Sequence, residues 1–314
     1  MGYFTKNPVT TTVKATNADT TLVPRPIKFE WSNTPLQWIP DDPFASHSIN
    51  HFSFTLVRGE LFFCRVFNQA LPFITDDALR ADVKTFIRQE GIHSSAHRIS
   101  IDEYLTRYGV DIAANYKREM WIFEHMLADK PFGYSVPKAL AHQWLILRVG
   151  IVAAAEHYTN GFGQYVLDLC DWAARGADPE VSDLFTWHSA EEVEHRTVAY
   201  DLYRHLGGTH SMKALIMLLV APIFTYIMAA GTAQLAQADA AAPAEIKSIF
   251  KLSFWRAWQH SSKKNNIMSP QWFMTKPRSF FSRHYSPLHE GNTAQALAYI
   301  NASPGVIANG LRPA

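Results

Sequence analysis

The chain has 314 residues, of which 47% are hydrophobic and 13% aromatic, and its formal net charge is +1. This composition supplies a full hydrophobic core and excludes a disordered chain, and the charge excludes a general attraction to nucleic acid. Two cysteines, Cys64 and Cys170, are too few for a disulfide framework. Because the first thirty residues also lack the apolar run of a secretory signal, we expect a cytoplasmic protein.

Three regions follow one another along the chain. Residues 1–45 are rich in Thr, Pro and Asn and show no sustained periodicity, which predicts an extended N-terminal arm that carries no chemistry. From residue 46 to 207 apolar residues recur at helical spacing, and Pro and Gly are mostly confined to the gaps. This predicts an all-α region with four long helices and a shorter one. Residues 208–314 are expected to form a hydrophobic and basic helical extension.

Two of the predicted helices carry the motif Glu-x-x-His on their apolar stripe. The first runs from Glu90 to His93 and continues a stripe that includes Val83. The second runs from Glu192 to His195. A carboxylate and an imidazole three residues apart lie on the same side of a helix, so each motif can bind a metal ion from one direction.

Two single glutamates, Glu60 and Glu156, also lie on predicted apolar stripes. A buried carboxylate is costly unless it is paired or bound to a cation, so both glutamates need a counter-charge. A pair of divalent ions would supply it, and a salt bridge between Glu156 and Arg148 is the alternative. Glu124 and His125 offer a rival ligand pair, but their segment is more polar.

The order along the chain is Glu, Glu-x-x-His, Glu, Glu-x-x-His, with intervals of 30, 66 and 36 residues between successive glutamates. This order resembles the ferritin-like di-iron carboxylate superfamily, in which two helices each give one Glu and two others each give Glu-x-x-His. The resemblance implies a ferritin-like four-helix bundle that holds two iron ions, with manganese as the alternative metal. The implied ligands are Glu60, Glu90, His93, Glu156, Glu192 and His195.

A third histidine, His188, lies one helical turn before Glu192 on the same stripe. A histidine in that place resembles the arylamine N-oxygenases, which implies a seventh ligand, and a core histidine is the alternative. The string WHSAEEVEH at Trp187–His195 is also similar to a bacterial family called predicted metal-dependent hydrolase, over about residues 50–290.

Several neighbouring residues are expected to lie outside the ligand set. His97 follows His93 by one turn and is interpreted as a core residue or a partner of a ligand. Glu191 and Glu194 point away from the stripe, and we expect them to be solvated or paired with Arg196.

The resemblance implies a non-haem di-iron oxidase or monooxygenase that activates O2 to oxidise a small lipophilic or aromatic substrate. No catalytic residue beyond the metal ligands and no organic cofactor site is predicted, so an external electron donor would be needed. The alternatives are a binuclear metal-dependent hydrolase and a protein that binds or stores iron without catalysis.

The extension begins with an uncharged run of 25 residues, 214–238, that contains Pro222, where we expect a kink. Eight Lys or Arg and no Asp or Glu follow in Ile246–His289, so the rest of the chain has a net charge of −7. Basic and aromatic residues together are typical of peripheral contact with the inner membrane. A folded cap on the acidic bundle is the alternative, and the uncharged run could also form a homodimer contact.

Overall fold

The computed structural model describes residues 22–311. Their regular secondary structure is entirely helical, and they contain no β-strand. This confirms the prediction of an all-α protein. The α-helices in that range are α1 (Pro43–Ala70), α2 (Asp77–Glu103), α3 (Ile112–Met120), α4 (Ala141–Leu169), α5 (Pro179–His195), α6 (Val198–His205), α7 (His210–Ala238), α8 (Leu252–Lys263), α9 (Pro270–Thr275), α10 (Pro277–Phe280), α11 (Thr293–Ala302) and α12 (Pro304–Ala308).

Aspartate side chains fix the starts of three of the long helices. Asp42, Asp76 and Asp178 each accept a hydrogen bond from a backbone N–H in the first turn of α1, α2 and α5 respectively. Pro43 and Pro179 occupy first-turn positions, where the missing N–H costs nothing and the fixed φ favours the helix. Local sequence therefore sets where these helices begin.

Four of these helices, α1, α2, α4 and α5, carry the candidate site and are called the site helices. α1 packs against α2 and α4 against α5, and the two pairs meet through α1 with α4 and α2 with α5. Both pairs are antiparallel. The α4–α5 contact is so close that a Cβ atom on Gly163 would lie 2.4 Å from the backbone oxygen of Ser189.

The segment between the two helix pairs, residues 104–140, is not a plain loop. It contains α3, a π-helical turn at Trp121–Met126 and short 3₁₀ turns. π-Helical turns within helices are rare and are often found at functional sites. Here the turn follows directly on α3 and packs against α1.

The N-terminal arm has no helix in its described part, residues 22–42, and residues 1–21 lie outside the described range. Its side chains nevertheless belong to the core, because Ile27, Trp31 and Trp38 are buried. Residues 22–42 are therefore an integral part of the fold, and the helical region begins at Pro43.

The C-terminal extension packs onto the site helices and shares their core. α7 contacts α1 and α4, and α11 and α12 contact α5. Five of the nine Phe, Trp and Tyr residues in the basic window are buried, which supports the folded-cap alternative: Phe254, Trp258, Phe273, Phe280 and Tyr285. α7 runs through Pro222 as one helix.

Two helical segments of the described range are long and apolar enough to cross a membrane by length and composition alone. The first, Lys138–Leu169, includes α4, and half of its apolar window is buried in the protein. The second is α7, with 39% of its window buried. A buried core helix passes the same criterion, and α4 is one, since it carries the buried Glu156.

Candidate metal centre

The seven predicted ligands converge at the centre of the site helices. Each is at most 2% exposed. Their potential ligand atoms form two groups, and within a group all these atoms lie within 4.8 Å of one another. The first group consists of Glu60, His93 and His188, and the second of Glu90, Glu156, Glu192 and His195.

Glu192 stands between the two groups. Its Oε1 atom lies 3.1 Å from His188 Nε2, 3.6 Å from His93 Nδ1 and 3.4 Å from His195 Nε2. The same His195 nitrogen lies 3.3 Å from Glu90 and 3.4 Å from Glu156. One carboxylate thus faces histidines of both groups, which is the position that a carboxylate bridging two ions would need.

Most of the ligand-type atoms in this cluster have no hydrogen-bond partner. Ten of them are buried and unpartnered, and they come from all seven residues. They are both oxygens of Glu60, Glu90 and Glu156, Oε2 of Glu192, Nδ1 of His93, and Nε2 of His188 and His195. Buried polar atoms are normally satisfied, so a concentration of unpartnered atoms that are all metal donors fits two bound cations.

Hydrogen bonds from outside the cluster orient the three histidines. His93 Nε2 lies 2.8 Å from a Glu191 oxygen, and His195 Nδ1 lies 3.3 Å from Gln89 Oε1. Because a carboxylate and an amide oxygen can only accept, these ring nitrogens carry the protons. The opposite nitrogens face the cluster, so each can offer its lone pair to a metal ion when its ring is neutral.

His188 is oriented by a chain of two further residues. Its Nδ1 lies 2.9 Å from His97 Nε2, and His97 Nδ1 lies 3.0 Å from Ser53 Oγ. If His188 donates to His97 and His97 donates to Ser53, His188 Nε2 is free to face Glu60 and Glu192. His97 is therefore a partner of a candidate ligand, which is one of the two roles that the sequence left open.

Arg25, from the N-terminal arm, holds the outer side of the centre. Its guanidinium lies 2.6 Å from Glu191 and 2.9 Å from Glu194, and all three side chains are at most 1% exposed. Glu194 also accepts a hydrogen bond from Gln89, the partner of His195. Arg25 thus connects through Glu191 to His93 and through Glu194 and Gln89 to His195.

This network corrects two predictions from the sequence. The arm was expected to carry no chemistry, yet it supplies the cation that anchors the partners of two candidate ligands. Glu191 and Glu194 were expected to be solvated or paired with Arg196. They are buried because α5 is covered on all sides, and Arg196 instead donates to the backbone oxygens of Pro287 and Leu288.

The structure does not support the Glu156–Arg148 salt bridge or Glu124 as a ligand. Arg148 pairs with Asp129 and Gln69, so it provides no counter-charge for Glu156. Glu124 is exposed and pairs with Arg58 on the surface. Neither Arg148 nor Glu124 contributes to the cluster.

Burial and mutual repulsion determine the charges of the metal-free centre. Burial and the nearby Glu192 charge raise the pKa values of Glu60 and Glu90 well above the ordinary value and that of Glu156 to about 7. Burial acts the same way on Glu192, but His195 and His188 outweigh it and hold its pKa well below the ordinary value. Glu60, Glu90 and Glu156 therefore resist ionisation, and bound cations would reverse that resistance.

A cavity of about 690 Å³ opens beside the cluster between α1, α4, α7 and the π-helical turn. Three cluster glutamates, Glu60, Glu90 and Glu192, form part of its wall. Apart from Thr55 and Thr159, the other side chains that line it are apolar. The centre is thus accessible from one side through an apolar space.

Comparison with protein-family models matches residues 23–291 to one family, described as predicted metal-dependent hydrolase. Searches of the curated proteins and of the solved structures found no match. The match spans the arm from Val23, the site helices and most of the extension. It therefore includes Arg25 and all seven cluster residues.

The family's description contradicts the expectation of an O2-activating oxidase or monooxygenase and favours the hydrolase alternative. The error has a chemical reason. Carboxylate and imidazole donors serve both redox and hydrolytic metal centres, so the ligand pattern does not discriminate between them. The external electron donor was required by oxidation, and hydrolysis requires none.

We predict that Arg25→Ala destabilises the protein by about 3 kcal/mol or more, because it leaves two buried carboxylates unpaired. It should also weaken metal binding by about tenfold or more, since Glu191 and Gln89 would no longer hold His93 and His195 in place. Chemical denaturation and metal titration measure the two effects. Arg98→Ala, which removes an exposed pair with Asp102, is the control and should change stability by less than about 1 kcal/mol. Equal effects of the two variants would contradict the role of Arg25.

We predict that Glu156→Gln stabilises the metal-free protein relative to wild type in a pH-dependent way. The folded-state pKa of Glu156, about 7, lies above its ordinary value of 4.5, so the wild-type penalty develops as pH rises through this interval. The advantage of the variant should grow by up to about 3 kcal/mol between pH 4 and pH 8. Denaturation in the presence of a chelator measures it. A stability difference that is constant with pH would show that Glu156 is not held in an uncompensated site.

Proposed function

Since the chain belongs to the family of predicted metal-dependent hydrolases, we propose that it is a binuclear metal-dependent hydrolase with its centre at the seven-residue cluster. One observation carries this proposal: ten buried donor atoms of seven residues converge without any other partner. Four carboxylates in one buried site would be strongly unfavourable without cations. The family thus favours hydrolysis, and the site supports the binding of the metal ions that this hydrolysis would use.

We further propose that the site helices form a ferritin-like four-helix bundle, with residues 208–314 as an extension. The antiparallel pairs α1–α2 and α4–α5 and the alternation of ligand sets support it. The proposed metals are two iron ions, with manganese as the alternative, because oxygen and imidazole donors without thiolate suit these ions. Glu60, His93 and His188 would hold one ion, and Glu90, Glu156 and His195 the other, with Glu192 between them.

Two divalent ions, if held by these residues, would supply an activated water nucleophile and a Lewis acid for the acyl or phosphoryl oxygen of the substrate. The protein side chains would position the substrate and move the protons. Glu60 lines the cavity with both carboxylate oxygens unpartnered, so one oxygen can act as a ligand while the other accepts the proton that the water loses. The apolar walls would exclude bulk water, which strengthens electrostatic interactions at the centre.

We also propose the two partners that the sequence indicated, a membrane surface and a second copy of the chain. α7 exposes several apolar residues, including Leu215, Leu218 and Tyr226, and this face supports contact with a membrane surface or with a second copy of the chain. The burial of five of the nine aromatic residues in the basic window weighs against that window as the contact surface. A cytoplasmic protein that associates peripherally with the inner membrane is consistent with both observations.

Metal analysis and an esterase assay test the proposed function. We predict two metal equivalents in wild type and none in the Glu90→Ala/Glu192→Ala double variant, which should also lose hydrolysis of p-nitrophenyl esters. The double variant Glu124→Ala/Glu245→Ala removes two exposed carboxylates outside the cluster and should keep both ions. Two full equivalents retained in the cluster variant, or wild-type hydrolysis that survives complete metal removal, would refute the proposal.

A further inference from the structure

The charged groups in the wall of the cavity lie together at the centre, and the rest of the wall is apolar apart from Thr55 and Thr159. Glu60, Glu90 and Glu192 are the charged residues in its wall, and all three belong to the metal cluster. The volume of about 690 Å³ is in the range of sites for organic molecules of moderate size. A molecule that fills this cavity must therefore be apolar over most of its length and polar where it meets the centre.

The outer part of the cavity is formed by side chains that are also exposed on the surface. Leu219 and Ile223, one turn apart on α7, line the cavity and are 58% and 41% exposed. Phe132, beside the π-helical turn, lines it as well and is 58% exposed. All three of these side chains are apolar. An apolar chain could therefore pass between them without removing water from a charged group.

We propose that this cavity is the binding site for the hydrocarbon chain of the substrate, and that the substrate is a long-chain acyl ester. This inference rests on the proposed hydrolase function and names its substrate class. The chain would lie against the apolar walls of α1, α4 and α7, and the ester group would lie next to Glu60 and Glu192. The opening at Leu219 and Ile223 would admit the ester from an apolar environment.

The reaction balances without an oxidant or reductant. The oxygen of a water molecule forms a bond to the acyl carbon, and the bond from that carbon to the alkoxy oxygen breaks. One proton of the water passes to the leaving alcohol, and the other stays with the carboxylic acid. The products are a long-chain carboxylic acid and an alcohol.

The apolar lining explains why an ester fits better than a charged substrate. Burial of each methylene contributes about 0.8 kcal/mol to binding, so the free energy would come mainly from the chain. A substrate with a charge along its length would have to leave that charge unpaired against leucine, isoleucine and phenylalanine side chains.

Binding to the metal-free protein tests the site independently of catalysis. Methyl esters of four to twelve acyl carbons would be titrated against bound 8-anilinonaphthalene-1-sulfonate, and its displacement gives the affinity. We expect the affinity to rise about threefold or more for each added methylene until the cavity is full. An affinity that does not change with chain length would overturn the proposal, and this result does not depend on any variant.

A matched pair of variants locates the site. Leu219→Asp/Ile223→Asp places two charges in the cavity wall and should weaken binding of methyl octanoate by about tenfold or more. Leu215→Asp/Leu218→Asp places the same charges on exposed positions of the same helix that do not line the cavity, and should change it less than about twofold. Equal losses in both variants, with helix content retained in circular dichroism, would overturn the assignment.

Hydrolysis by the metal-loaded protein separates this inference from the function on which it rests. Chain-length-dependent binding without hydrolysis of any ester would support the apolar site and refute the hydrolase. Hydrolysis that is fastest for acetate and falls with longer chains would support the hydrolase and refute the acyl-chain site.

Discussion

The stability of this fold depends on how the free-energy cost of burying carboxylates is offset. Six buried glutamates surround the centre: Glu60, Glu90, Glu156, Glu191, Glu192 and Glu194. In the described part of the chain, Arg25 is the one arginine or lysine ion-paired with any of them. Each uncompensated charge in such a place costs several kcal/mol. Two divalent cations would supply the missing charge, so metal binding and folding stability are expected to be coupled.

The six carboxylates have two roles: some orient the histidines, and the others face the centre as candidate ligands. Glu191 and Glu194 are turned toward Arg25 and take part in hydrogen bonds that orient His93 and His195. Glu60, Glu90 and Glu156 keep their oxygens free of hydrogen bonds and face the centre. The N-terminal arm thus closes the outer side, while the apolar cavity leaves the opposite side open for a substrate.

The sequence was sufficient to predict the all-α fold and the seven residues that converge. Glu90, His93, Glu192 and His195 were recognisable because a polar pair recurs on two apolar stripes, and helical periodicity places such pairs on a buried face. Arg25 was not predictable, because its contact with Glu191 spans 166 residues and the arm has no periodicity. Glu191 and Glu194 were misjudged because α5 is buried on all sides, so a position away from the stripe is not a position in solvent. The ligand pattern also did not identify the type of reaction, since the same donors support oxidation and hydrolysis.

The central claim is that these seven residues hold two metal ions, and anomalous diffraction from crystals grown with manganese tests it directly. Our account predicts two anomalous peaks, one adjoining Glu60, His93 and His188 and the other adjoining Glu90, Glu156 and His195, with Glu192 between them. No peak at the cluster, or manganese bound only at surface carboxylates such as Glu124, would contradict it.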